Sequence, residues 1–155
     1  MASNYRGVVV GTGNLDEDGY LYYYCKFGDG AVDVGLIWDL HKSQVFEVAK
    51  CLEIPRSVLI APPSADLAPG QTDEQEIGAS YDMVELYWAY IYLMSEVEKR
   101  QFLLDIDMDP FASAQFARES VLIQAVHDRG LHKADLNPKN IGSPWYFSEF
   151  GIEAS

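Results

Sequence analysis

The chain has 155 residues, enough for one domain with a modest core, with 48% hydrophobic and 23% charged residues. Its net charge of −13 argues against non-specific binding to nucleic acid or to an anionic membrane surface, both of which need a basic footprint. The two cysteines, Cys25 and Cys51, form no Cys-x-x-Cys pair, so neither a disulfide framework nor a zinc ribbon is expected. Free thiols point to a reducing, cytoplasmic setting.

In chain order, Met1–Arg6 lacks the features of a signal peptide. Gly7–Val10 reads as a buried strand running into a glycine turn. Tyr20–Phe27 is aromatic and irregular, either a short strand or an ordered loop. Ser43–Leu52 is an amphipathic helix with Val45, Phe46, Val48, Ala49 and Leu52 on one face, ended by Pro55. Val58–Ala61 is a short apolar segment. Pro62–Gly78 is a long polar loop, a length that in a small domain signals function or disorder.

Asp82–Glu98 is the longest helix expected, apolar nearly all round. Such a helix must be covered on more than one side, and a partner surface would do so. The run Met83–Met94 is interrupted by Glu85 and too short to span a bilayer. An acidic linker, Asp105–Pro110, separates this helix from another at Phe111–His127, and residues 133–155 read as an irregular tail. One confident strand beside several helices suggests part of an α/β unit with most of a parallel sheet missing.

The residues that carry chemistry cluster early. Gly11-Thr12-Gly13-Asn14-Leu15-Asp16-Glu17 follows the strand, and Lys26-Phe27-Gly28-Asp29-Gly30 and Asp33 follow soon after. Glycines at a strand end let backbone N–H groups approach phosphate, and carboxylates can hold Mg²⁺. Each piece alone is weak. Gly11-x-Gly13 lacks the third glycine of a dinucleotide fingerprint, since Asp16 stands there. Asp16, Glu17 and Asp18 read most simply as a solvated acidic loop. Lys26 and Asp33 fit a surface pair. Thr72 with Asp73 and Glu74 reads as a helix cap. His41 and His127 show no metal-ligand spacing, and His132-Lys133 reads as a solvated helix end. Lys42 is less easily dismissed, because a cation opening a helix opposes the macrodipole unless it serves a ligand.

Taken in order, the blocks GTGN-x-x-E, GY, K-x-GDG-x-x-D, L-x-K-x-x-V, PSADL, GQTDE and SYD, with HK near the end, resemble the synthetase domain of NAD synthetases over about Val8–Glu85. The resemblance implies an adenine-nucleotide α-hydrolase-like (PP-loop) α/β fold, present here mostly as helices with one or two strands of an otherwise missing parallel sheet. It also implies that residues 1–155 form the C-terminal half of the synthetase domain. The reaction implied is a ligation: ATP adenylates the nicotinate carboxylate of deamido-NAD, and ammonia attacks the acyl-adenylate to give NAD⁺ and AMP.

Carried over to this sequence, the resemblance implies that Thr12, Lys42 and Ser64 contact ATP and that Glu17 holds Mg²⁺. Lys26, Asp33, His132 and Lys133 would bind deamido-NAD. Asp29 would lie near the nicotinate and orient ammonia, and Asp73 would act from the mobile loop. A homodimer is implied, with the dinucleotide site across the interface.

The family's pyrophosphate-binding loop, Ser-Gly-Gly-x-Asp-Ser, does not occur in this sequence. A second half or chain is therefore expected to supply it, and with no glutaminase domain expected within residues 1–155, ammonia is expected to be free or delivered by another chain. The Glu17–Lys26 stretch is about one residue longer than in the shortest family members. The alternative to a split enzyme is a non-catalytic dinucleotide-binding or dimerisation module.

Overall fold

The computed structural model describes residues 2–134; most of the expected tail therefore lies outside the described residues. The chain is mostly helical around a two-stranded parallel sheet, a partial α/β arrangement. Strand β1 (Val10–Gly11) pairs with β2 (Val34–Gly35) in the register Val10↔Val34 and Gly11↔Gly35. Six helices follow: α1 (Lys42–Cys51), α2 (Arg56–Leu59), α3 (Asp73–Ile77), α4 (Tyr81–Tyr92), α5 (Glu96–Ile106) and α6 (Pro110–Gly130).

The expected buried strand Gly7–Val10 is shorter and more open. Pairing covers only Val10–Gly11, and Val8, Val9 and Val10 are 64%, 41% and 51% exposed. β1 has one neighbouring strand among the described residues, so its other edge is unpaired there. β2 lies in a stretch whose sequence alone does not announce a strand.

Between the strands, Leu15–Leu21 winds as a π-helical segment. Asn14 starts it, its Oδ1 accepting the N–H groups of Asp16 and Glu17 at 3.0 Å each. A π turn closes with one residue more than an α turn. The segment ends at Tyr22, whose φ of 52° is left-handed.

The core gathers Tyr20 and Leu21 from the π segment, Ile77 from α3, Tyr81 and Val84 from α4, and Ile123 and Val126 from α6. The buried stripe of α6 recurs at Phe116, Glu119, Ile123, Val126 and Gly130, a helical period. Burying Leu21 and Ile123, both 0% exposed, stabilises the fold by about 1.5–3 kcal/mol each. Gly130 permits the approach of α6 to the π segment, since a Cβ there would lie 2.6 Å from the Leu21 carbonyl oxygen.

The single long helix expected over Asp82–Glu98 is two. Ser95 opens α5 with a capping box: its N–H donates to Glu98 Oε2 at 2.8 Å and its Oγ accepts the Glu98 N–H at 3.4 Å. That local competition ends α4 early and leaves Tyr92 and Leu93 exposed at the corner. The covering on several sides expected of this helix is also partial: within α4 only Tyr81 and Val84 are buried. The linker is shorter than Asp105–Pro110, because α5 continues to Ile106. Asp109 then caps α6 by accepting the N–H groups of Phe111 and Ala112, with Pro110 at the first position. Thr72 caps α3 as its sequence suggests, Oγ1 accepting the Gln75 N–H.

Candidate nucleotide site

A cleft of about 460 Å³ opens between the π segment, α1, α2 and the loop leading to α3. One wall is apolar, built from Val45, Phe46 and Ala49 of α1 and Val58 and Leu59 of α2. The other is polar and carries Glu17, Asp29, Lys42, Ser64 and Asp73. Five of the residues singled out by motif, from five separate blocks, therefore share one cavity.

Glu17 and Lys42 form its centre. Lys42 Nζ lies 2.5 Å from Glu17 Oε1, with both side chains about one-fifth exposed. Lys42 is placed by its backbone. As the first residue of α1 it exposes an unpaired helix-terminal N–H. The Asp16 carboxylate, arriving from the π segment, accepts it at 2.7 Å. The other Asp16 oxygen meets His41 Nδ1 at 2.7 Å. Glu85 of α4 accepts both the N–H and the Oγ–H of Ser43, at 2.8 and 2.7 Å. Two carboxylates thus sit at the positive end of α1 and offset the lysine that opens it. Asp16, His41 and Glu85 lie close enough to suggest a metal cluster, but these bonds to the start of α1 account for their grouping.

The acidic run is not the solvated loop its composition suggests. Asp16 is 0% and Asp18 6% exposed. Burial pushes the Asp16 carboxyl above the ordinary range, against the pull of the Lys42 N–H and His41. Burial, with Glu17 and Asp29 adding repulsion, pushes Asp18 up to about 6. Asp18 packs under Gly13, where a Cβ would fall 1.8 Å from its Oδ2. The second glycine of Gly11-x-Gly13 is therefore demanded by a carboxylate beneath it.

Asp73 reaches the cleft floor from the start of α3. Its Oδ2 is 3.1 Å from the Tyr81 hydroxyl, which is also 3.1 Å from Glu17 Oε1. Burial raises the Asp73 carboxyl, Glu17 raises it further, and the Tyr81 bond and Lys42 draw it back. The nearby Ala65 backbone N–H also draws the carboxyl down, but its buried Oδ1 meets no partner in good hydrogen-bond geometry among the described residues. An orphaned carboxylate oxygen near a second carboxylate and a lysine, in an open cleft, suits a hard cation bound together with phosphate oxygens. Ser64 shapes the loop, donating to Gln71 O at 2.7 Å and accepting the Asp66 N–H at 3.0 Å. Asp29 holds its own turn, Oδ1 accepting the Cys25 N–H.

Lys26, His132 and Lys133 form a second group away from this centre. Lys133 Nζ donates to the carbonyls of Tyr22 and Tyr24 at 2.9 and 2.7 Å, and Lys26 Nζ to His132 O at 3.4 Å. They tie the turn after α6 to the loop after the π segment. Asp33 joins neither group. It accepts the Val9 N–H at 2.8 Å beside the strand pair, and it does not form the surface pair with Lys26 that its position suggests. Thr12 is exposed at the end of β1 and does not line the cleft. His127 is structural as read, its Nδ1 meeting Tyr20 O. Sequence reasoning gave no role to Tyr81, Asp16, His41 or Glu85. The serine–tyrosine pair Ser80-Tyr81 among the motifs was the one available signal.

A family model described as NAD synthase matches residues 1–116. The NH(3)-dependent NAD(+) synthetase of Methanococcoides burtonii is 38% identical over 112 residues, covering 72% of this chain and 42% of that protein. That of Archaeoglobus fulgidus is 48% identical over 80 residues, 52% of this chain and 32% of that protein. The structure of NMN synthetase from Francisella tularensis superposes with a TM-score of 0.66 at 34% identity, covering 90% of this chain and 49% of that one. The chain thus spans half or less of the length of each of these proteins.

Proposed function

The chain belongs to the NAD synthase family, and from that membership we propose that it carries part of an ATP-dependent site that amidates deamido-NAD to NAD⁺. The observation that supports this most is the cleft in which Glu17, Lys42, Ser64, Asp29 and Asp73 meet. In this reading a nicotinate carboxylate oxygen attacks the α-phosphorus of ATP, the bond to the β-phosphate breaks, and pyrophosphate leaves. Ammonia nitrogen then attacks the acyl carbon, the bond to AMP breaks, and the nitrogen loses a proton.

Lys42 places a point charge for phosphate oxygens, and Ser64 offers a hydroxyl beside it. Glu17, with Asp73, would hold Mg²⁺, which when bound neutralises phosphate charge. Thr12 would contact the adenylate. Asp29 would orient ammonia. Lys26, Asp33, His132 and Lys133 would engage the dinucleotide. The loop before α3 would keep water from the activated acyl group, which water would otherwise hydrolyse.

The pyrophosphate-binding segment would come from outside residues 1–155, and activity would require it. Homodimerisation belongs to the same proposal; exposed Tyr92, Leu93 and Val97 offer apolar surface for it. So does a cytoplasmic setting, which the free, exposed thiols of Cys25 and Cys51 suit. Among the described residues no helix is long and apolar enough to cross a membrane.

A second reading is that the acceptor is a nicotinate mononucleotide, favoured by the likeness to a solved NMN synthetase over 90% of this chain. One assay separates these. The chain, alone and with a polypeptide carrying the Ser-Gly-Gly-x-Asp-Ser loop, is incubated with Mg-ATP, ammonium and either acceptor. Amide formed from deamido-NAD supports the first reading. Amide formed only from the mononucleotide supports the second. Binding of either acceptor without turnover in any mixture leaves the non-catalytic module.

A further inference from the structure

Tyr81 touches three polar groups of the cleft, and each belongs to a different element. It is 4% exposed and opens α4 with its N–H donating to Glu74 Oε1 at 2.9 Å. Its hydroxyl lies 3.1 Å from Glu17 Oε1 in the π segment and 3.1 Å from Asp73 Oδ2 in α3. The Lys42 ammonium sits 5.0 Å from its ring centroid, where the π face attracts a cation.

Asp73 is also the base of the long loop. Its N–H donates to Pro63 O at 3.0 Å, closing the two ends of the segment on each other. Ser64 and Gln71 tie the same ends together from inside. The loop has no residue in the buried core between Pro63 and Thr72. Asp73 is therefore its anchor, and the side-chain bond from that anchor to the cleft floor runs through the Tyr81 hydroxyl.

A phenol has one proton to donate. Two carboxylate oxygens stand at equal distance from it, so the bond to Asp73 and the bond to Glu17 draw on the same donor. A ligand that takes up Glu17 frees the hydroxyl for Asp73. We propose that Tyr81 is a positioning residue that couples the placement of the 63–72 loop to the occupancy of the Glu17–Lys42 pair. The identity of the occupying ligand rests on the amidation reading; the coupling between the two carboxylates does not.

The test is a double-mutant cycle read by amide hydrogen exchange on the full chain. Tyr81→Phe keeps the ring and removes the hydroxyl. It is expected to speed exchange in peptides covering 63–77 roughly fivefold, the factor that one hydrogen bond of ordinary net strength yields, with α6 unchanged. Glu17→Gln is expected to alter exchange of the same peptides in the parent chain and to add nothing in the Tyr81→Phe background. Additive effects, or an unchanged loop, overturn the proposal.

If Tyr81→Phe loosens α6 as well, Asp73→Asn replaces it in the same cycle, and additivity there overturns the proposal equally. In an assembly that forms amide, Tyr81→Phe is expected to raise KM for Mg-ATP about fivefold with a smaller change in kcat. An unchanged KM there counts against the coupling. Absence of amide formation by the parent protein instead removes the amidation reading and leaves the exchange cycle to decide.

Discussion

The Asp16 carboxylate, 0% exposed, accepts the backbone N–H of Lys42 at 2.7 Å across 26 residues of sequence. This bond fixes the start of α1 against the π segment. It also places the lysine side chain next to Glu17, the residue after Asp16.

Asp16→Ala removes the acceptor for both Lys42 N–H and His41 Nδ1. Buried donors left unpaired cost about 1–3 kcal/mol. Urea unfolding of the variant should show a loss in that range, with an unchanged m-value. A loss below about 0.5 kcal/mol would mean that water replaces the carboxylate.

Asp18 makes stability depend on pH in a defined direction. Its folded value is raised from 3.8 to about 6, chiefly by burial. The folded state thus holds the proton more tightly than the unfolded state. The contribution is fully present below pH 3.8, declines as pH rises, and is lost above about 6. In metal-free buffer, Asp18→Asn should therefore gain about 1–3 kcal/mol over the parent between pH 4 and pH 7. Parallel unfolding curves of the two proteins across that interval would contradict this.

Gly13→Ala places a methyl group 1.8 Å from Asp18 Oδ2. The buried carboxylate must move, at a cost of about 1–3 kcal/mol. Asp18→Ala in the same chain removes the obstacle and should restore most of the loss. Equal destabilisation with and without Asp18 would point to backbone strain instead.

Lys42→Met separates chemistry from stability. The Glu17–Lys42 side chains are about one-fifth exposed, and removing one partner of a pair between the exposed and the buried limits costs about 1–3 kcal/mol. Unfolding should change by no more than that. Amide formation in an active assembly should fall about 100- to 1,000-fold, as when one preorganised donor to developing charge is removed. A variant with near-parent turnover would take Lys42 out of the phosphate site.

Much of the site was legible because its motifs, each weak alone, stand in one order that resembles the synthetase domain of NAD synthetases. Glycines at a strand end, a Gly-Asp-Gly turn, a lysine opening a helix against its dipole and a threonine followed by Asp73 and Glu74 are readable one by one from short-range stereochemistry. Asp29, Lys42, Ser64 and Asp73 were singled out by that resemblance rather than by local stereochemistry, and they meet in one cleft. Ser95 was equally local, but its capping box competes with a long apolar run, and periodicity hid the break between α4 and α5.

What the linear order alone determined was the set of short elements and the inventory of charged groups, because caps, turns and amphipathic faces depend on neighbours within a few residues. Burial was decided only in three dimensions. Asp16 and Asp18 look solvated in sequence and become buried in the fold, Asp16 against the start of α1 and Asp18 beneath Gly13. Tyr81 gains its place only when α3, α4 and the π segment converge, since a hydrogen bond spanning 64 residues leaves no periodic trace along the chain.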